Sequence, residues 1–228
     1  MIKKIRYFTE NEVNKNSFIP AKKLIPEWYK KIPLHYGNPE ILPFDLTTKA
    51  CIPFLDSITS GYLILTTQDI MVDKNDEEFN MSWSDASLDV TVVKVRNTPV
   101  LQPIPEGYRK EHIVWNNVTM FKAPKGYSAI FTHPFNRYDL PFITTSAIVD
   151  LDKSVMTTGS IPFYLKQGFI GLIPKGTPIA QVILFKRNKW LSIFDKKLLK
   201  QNIYALKVVR LISMGYYKKF IWSKKEYE

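Results

Sequence analysis

The sequence predicts a mainly β protein, a compact barrel, sandwich or jelly-roll-like body with an N-terminal arm and a C-terminal helix. Short segments rich in β-branched and aromatic residues recur at 60–72, 89–96, 112–123, 127–134, 146–152, 160–166, 169–174 and 179–186. Such residues fit a pleated, half-buried surface. Turn formers separate them, at Gly107, Pro124-Lys125-Gly126, Gly159 and Lys175-Gly176, and no helix of several turns fits between. Strands this short and this evenly interrupted build sandwiches and barrels. The third observation is the change of period near the end of the chain. Leu198, Leu199, Ile203, Leu206, Val209 and Ile212 recur at helical steps, with Lys197, Lys200, Gln201, Lys207 and Arg210 largely on the other side.

These patterns divide the chain into an N-terminal arm (1–40), a β-rich core (41–190) and a C-terminal helix with a basic, aromatic tail (191–228). Pro20, Pro26 and Pro33 cut the arm into short pieces. Pro26 can open a short helix whose apolar side is Trp28, Tyr29 and Ile32, with Lys30 and Lys31 toward water. At the other end Asp195 can cap the helix and Gly215 can stop it. The tail then interleaves Tyr216, Tyr217, Phe220 and Trp222 with lysines. Trp28, Tyr29, Tyr216, Tyr217 and Trp222 are the candidate interface residues, each with a simpler role in packing on its own domain.

Composition narrows the function classes. Ample apolar and aromatic content argues for a folded globular chain. No apolar run approaches a membrane span, and the polar Thr9-Glu10-Asn11-Glu12 follows the basic start where a signal core would stand, so a cytoplasmic or virion location with no membrane partner is expected. Cys51 is the single cysteine, which excludes an internal disulfide and a Cys-rich zinc site; between Ala50 and Ile52 it is expected as a small buried thiol. His35, His112 and His133 lack metal-ligand spacing. A formal net charge of +11 favours contact with nucleic acid, phosphates or acidic surfaces. Lys greatly outnumbers Arg and accompanies many Ile and Asn, a bias that an AT-rich genome produces without any ligand.

The stretch 123–187 adds a resemblance. Gly126-Tyr127-Ser128, His133-Pro134-Phe135-Asn136-Arg137, Ile148-Val149-Asp150-Leu151-Asp152 and Gly176-Thr177-Pro178-Ile179-Ala180-Gln181-Val182 follow one another as do motifs of dUTPase-like proteins of the β-clip fold. The resemblance implies a β-clip core and a homo-oligomer, a trimer in that family. It also implies a nucleotide site in which Asp150 and Asp152 hold Mg²⁺ or orient a water, with Asn136, Arg137 and Gln181 toward the ligand. Asp150 and Asp152 are expected to share one face of a strand. Gly176 is expected to allow a close approach before the Ile179-Ala180-Gln181-Val182 strand, where Gln181 pairs with backbone in the simplest case.

The same stretch departs from that family. Lys153 stands where a Tyr packs under deoxyribose, Phe135 or Asn136 where a Ser contacts phosphate, and a Lys-rich helix where a Gly-rich arm closes over the triphosphate. A broader likeness, through "IPEWYKKIP", "ACIPFLDSITSGYLI" and "PKGTPIAQVILFKR", is to an uncharacterised family of tailed-bacteriophage and bacterial proteins. The expectation is therefore a non-catalytic phage structural or assembly protein without cofactor, partnered by other virion proteins. Two alternatives stand beside it: a dUTPase- or dCTP-deaminase-like nucleotide-hydrolysing enzyme using Mg²⁺, and a basic accessory protein that binds single-stranded nucleic acid through its tail.

Overall fold

The computed structural model describes residues 3–9, 12–37, 45–75, 78–83, 92–96, 103–116, 119–153, 159–203 and 216–228. They group into two compact units, one of Met1–Pro26, Ile58–Arg187 and Tyr227–Glu228, the other of Glu27–Ser57 and Asn188–Glu226. The protein is mainly β, and every strand pair described is antiparallel. The strands form open sheets of two to five strands, none closed into a barrel among the described residues.

The larger unit is built around a five-stranded sheet in the order β13 (Ala147–Val149), β11 (Tyr127–Thr132), β16 (Pro178–Lys186), β5 (Tyr62–Leu65), β2 (Phe18–Pro20). The first five residues of β16 are all buried, so its interior reads as a near-continuous run instead of an alternation. Strand β2 comes from the predicted arm. It lies at the sheet edge, where Pro20 withholds no ladder hydrogen bond from an inner neighbour. Strand β1 (Arg6–Thr9), also in the arm, pairs with β10 (Thr119–Lys122). Gly61 makes the entry to β5 feasible: at φ +73 a Cβ would sit 2.2 Å from the Val182 carbonyl oxygen.

A four-stranded sheet, β12 (Phe142–Thr144), β14 (Ser160–Leu165), β9 (His112–Asn116) and β8 (Val93–Arg96), carries a tight aromatic cluster. Trp115 stacks on Phe163 at 3.9 Å between ring centroids, and Phe142 meets both rings edge-on. All three are essentially buried. A three-stranded sheet joins β15 (Gly171–Ile173), β6 (Ile70–Asn75) and β7 (Glu78–Trp83).

The predicted segment 60–72 is therefore two strands in two sheets. Between them Thr66 gives its amide to Thr177 O at 2.8 Å and its hydroxyl to Pro174 O at 2.9 Å, while Asp69 accepts from Lys175 N at 2.6 Å. Those bonds to the turn before β16 make the chain change sheets at an apolar run that shows no break. Segment 112–123 likewise holds β9 and β10. Gly176 is not a close approach: a Cβ there would meet nothing within 4 Å, and the residue is needed for its φ of +84 in the turn.

The smaller unit pairs β3 (His35–Tyr36) with β4 (Asp45–Leu46), and the rest of its described regular structure is helical. Helix α1 (Glu27–Lys31) follows Pro26 as expected, with Tyr29 buried, Trp28 half-buried and Lys30 and Lys31 exposed. Helix α2 (Ile52–Thr59) stands in the span expected to be β-rich; at eight residues it is too short to show a helical period. The Tyr29 ring stacks on Phe54 at 6.0 Å, and Lys49 gives its ammonium to the carbonyls of Tyr29 and Lys30 at 2.9 and 3.0 Å. Cys51 is exposed, against the expectation of a buried thiol, because it is the extended residue that precedes α2. Residues 197–203 are helical, and Asp195 Oδ1 accepts from Lys197 N at 2.8 Å as the expected cap. The expected continuation through Leu206, Val209, Ile212 and Gly215 lies outside the described residues.

Candidate functional site

The candidate carboxylates lie just past β13, in the turn 150–153, and not on a strand face as expected. Antiparallel pairing of β13 and β16 with β11 brings the end of β13, the start of β11 and the end of β16 together. Arg187, which follows β16, therefore reaches both acids. Its Nη1 gives hydrogen bonds to Asp152 Oδ1 at 2.9 Å and Ser128 Oγ at 2.9 Å, and lies 3.1 Å from Asp150 Oδ1; its Nη2 pairs with Asp152 Oδ2. Gly126 N gives a bond to Asp152 Oδ2 at 2.6 Å, and Ser128 Oγ one to Asp150 Oδ1 at 2.6 Å. Lys153 extends into solvent with its ammonium 3.6 Å from Asp150.

The electrostatics follow from this bonding. The Ser128 hydroxyl, then the positive charges of Arg187 and Lys153, hold the Asp150 carboxyl below its ordinary range. Arg187 and the Gly126 amide hold Asp152 lower still, and Asp152 in turn raises Arg187. Both acids are thus favoured as carboxylates, Asp152 bonded by protein donors at both oxygens and Asp150 at Oδ1, the arrangement of a clamp that ties three strand ends together. Sequence reasoning missed Arg187. The register Tyr127↔Lys186 is the signal that places it beside the residues opening β11.

Asn136 and Arg137 lie in the turn beyond the opposite end of β11 and do not join the aspartates. Arg137 pairs with Asp139 through Nε and Nη2 at 2.9 and 3.0 Å. Asn136 adopts φ 60, a left-handed turn conformation that Asn tolerates. Gln181 braces this turn: its Oε1 accepts from Phe135 N at 2.8 Å and its Nε2 gives a bond to Ser60 O at 2.6 Å. His133 completes the brace. Its Nε2 bonds Arg137 O at 3.0 Å, Thr144 N approaches Nδ1 at 3.3 Å, and burial pushes its pKa down.

The aromatic candidates separate in the same way. Tyr29 is internal to its unit, whereas Tyr217 is exposed. Trp222 Nε1 gives a hydrogen bond to Asp56 Oδ2 at 2.8 Å, and Lys225 pairs with the same oxygen at 2.7 Å, so the tail is fixed to α2 by one carboxylate. The largest exposed apolar run among the described residues is one that sequence reasoning did not select. Residues 188–195 have no regular secondary structure, and within them Trp190, Leu191, Ile193 and Phe194 are 84, 82, 73 and 86% exposed. No group of three or more metal-ligating side chains occurs among the described residues, and no described helix is long and apolar enough to cross a membrane. No family model matches the chain, and no curated protein matches it in sequence.

Proposed function

We propose that this is a non-catalytic structural or assembly protein of a tailed-phage particle that acts through protein–protein contacts, on a core of the dUTPase-like β-clip type. The observation that carries the proposal is the run Trp190-Leu191-Ser192-Ile193-Phe194, whose four large apolar side chains are exposed. Single exposed apolar residues are ordinary, but a contiguous run of this size marks an interaction surface. The bonding of Asp152 supports the same view. A carboxylate that must bind Mg²⁺ or activate water needs free lone pairs, and those of Asp152 are engaged by Arg187 and the Gly126 amide.

The experiment is mass spectrometry of purified particles from a producing host. The protein is expected there in multiple copies, and its absence from them contradicts the proposal. The nucleotide-enzyme alternative has its own assay, pyrophosphate release from deoxynucleoside triphosphates with Mg²⁺ by wild type and Asp150→Asn. No turnover by either is expected; turnover abolished by the substitution favours the enzyme.

A further inference from the structure

We infer that the β-rich unit binds a small, uncharged apolar molecule, of one ring or a short branched alkyl chain, in a cavity where the chain leaves β14 for β11. The inference is independent of the contact-based function proposed above. Strand register locates the opening. Strand β12 pairs with β14 as far as Thr144↔Phe163, and Thr145 gives its amide to Pro162 O at 2.9 Å; from Ala147 onward β13 pairs with β11 instead. The strands part there, and both line a cavity of about 130 Å³. Phe121, Phe131, Val149, Leu151, Ile161 and Pro162 form its apolar wall, with Ala147 at its exposed side. Ala147 and Val149 share one face of β13, whereas Ile148 on the opposite face is exposed.

Size and wall chemistry select the ligand. Protein interiors hold few voids larger than a water, because an unfilled space forfeits the contacts of its lining. The wall does not close over this one: Phe121, Phe131 and Ile161 are buried core residues on strands β10, β11 and β14, each held in register by a partner strand. Water suits the space poorly. A buried water needs roughly two to four polar partners, and the polar side chains of the wall are Thr119, Thr145 and Ser160 alone. No charged side chain lines the cavity, so nothing there compensates the desolvation of an ion. An apolar cavity of roughly 150 Å³ stays dry and takes up benzene, which sets one ring as the upper size here and places indole above it. The bound molecule packs against Val149 and Leu151, the residues on either side of Asp150 in the segment that Arg187 holds.

The test is a titration of the full-length, methyl-labelled protein with benzene, benzoate and indole, followed by NMR. Benzene is expected to shift the methyl resonances of Val149, Leu151 and Ile161 with a Kd on the order of 1 mM, the affinity that burying six apolar carbons supports. Benzoate carries a charge and indole a second ring, so at equal concentration neither should move those methyls. Val149→Phe places a ring of the protein's own in the cavity and should weaken benzene binding at least about tenfold with circular dichroism unchanged. Ala147→Leu, at the exposed side, is the second filling variant and decides the matter if Val149→Phe does not fold. Three methyls that stay unmoved up to about 10 mM benzene, ten times the expected Kd, overturn the inference. Equal shifts with benzoate, shifts that survive filling of the cavity, or shifts confined to the exposed Trp190 and Phe194 overturn it as well.

Discussion

Gln181 carries two backbone groups on one side chain, and that defines what its loss does. It is 1% exposed, and the Phe135 amide and the Ser60 carbonyl have it as their acceptor and donor. Gln181→Met keeps the bulk but strands both groups, each at about 1–3 kcal/mol, so urea unfolding should show a loss of about 2–6 kcal/mol. His133 makes a pH prediction. Burial lowers its folded pKa below the unfolded value of 6.5, so the unfolded chain binds the proton more readily. Stability is full above that value and falls as pH drops through and below it. The melting temperature of wild type should decline between pH 7 and 5, with a shallower decline in His133→Asn. The acids around Arg187 are shifted in the same direction and act lower: depressed carboxylates stabilise the fold above their unfolded pKa and lose that contribution as pH falls through their lowered values. Arg187→Met should therefore lower the melting temperature at pH 7 and leave a smaller difference near pH 2.

At the scale of elements, the sheets hold their register through a few tightly built points. The Trp115–Phe163–Phe142 cluster is one: Trp115→Ala leaves a large cavity among buried rings and should cost about 3–5 kcal/mol in denaturant unfolding. What the sequence revealed here, and what it hid, has a physical basis. Strands β11, β14 and β16 were legible because a β-branched or aromatic run ends at a Gly or Pro turn. The cap at Asp195 was legible because capping is local. The division of 60–72 into β5 and β6 was hidden, since Thr66 and Asp69 are turned by bonds to residues 174–177, more than a hundred positions away. Helix α2 was hidden by its length, and the strands β1 and β2 because their partners lie far along the chain. The candidate site was legible in residue types but not in its assembly. Asp150 and Asp152 were found as a spaced pair, yet it is strand register, absent from any local pattern, that gives them Arg187 and separates them from Arg137.

At the scale of the molecule, charge and exposed apolar surface coincide in residues 188–203, where Trp190, Leu191, Ile193, Phe194, Leu198 and Leu199 are exposed beside Lys189, Lys196, Lys197 and Lys200. The lysines keep their charges in water, and the apolar side chains are the ones that gain from burial against a partner. Function on this account is carried by contact, with the braced turns and the Arg187 clamp serving to hold the sheets that present it. The measurement that reaches this claim most directly is the amount of the protein in purified particles when the gene carries Trp190→Ser/Phe194→Ser, set against wild type at equal soluble level. The account predicts at least about a tenfold fall in incorporation, the effect of a contact weakened by some 1.4 kcal/mol or more. Equal incorporation of the two proteins contradicts it.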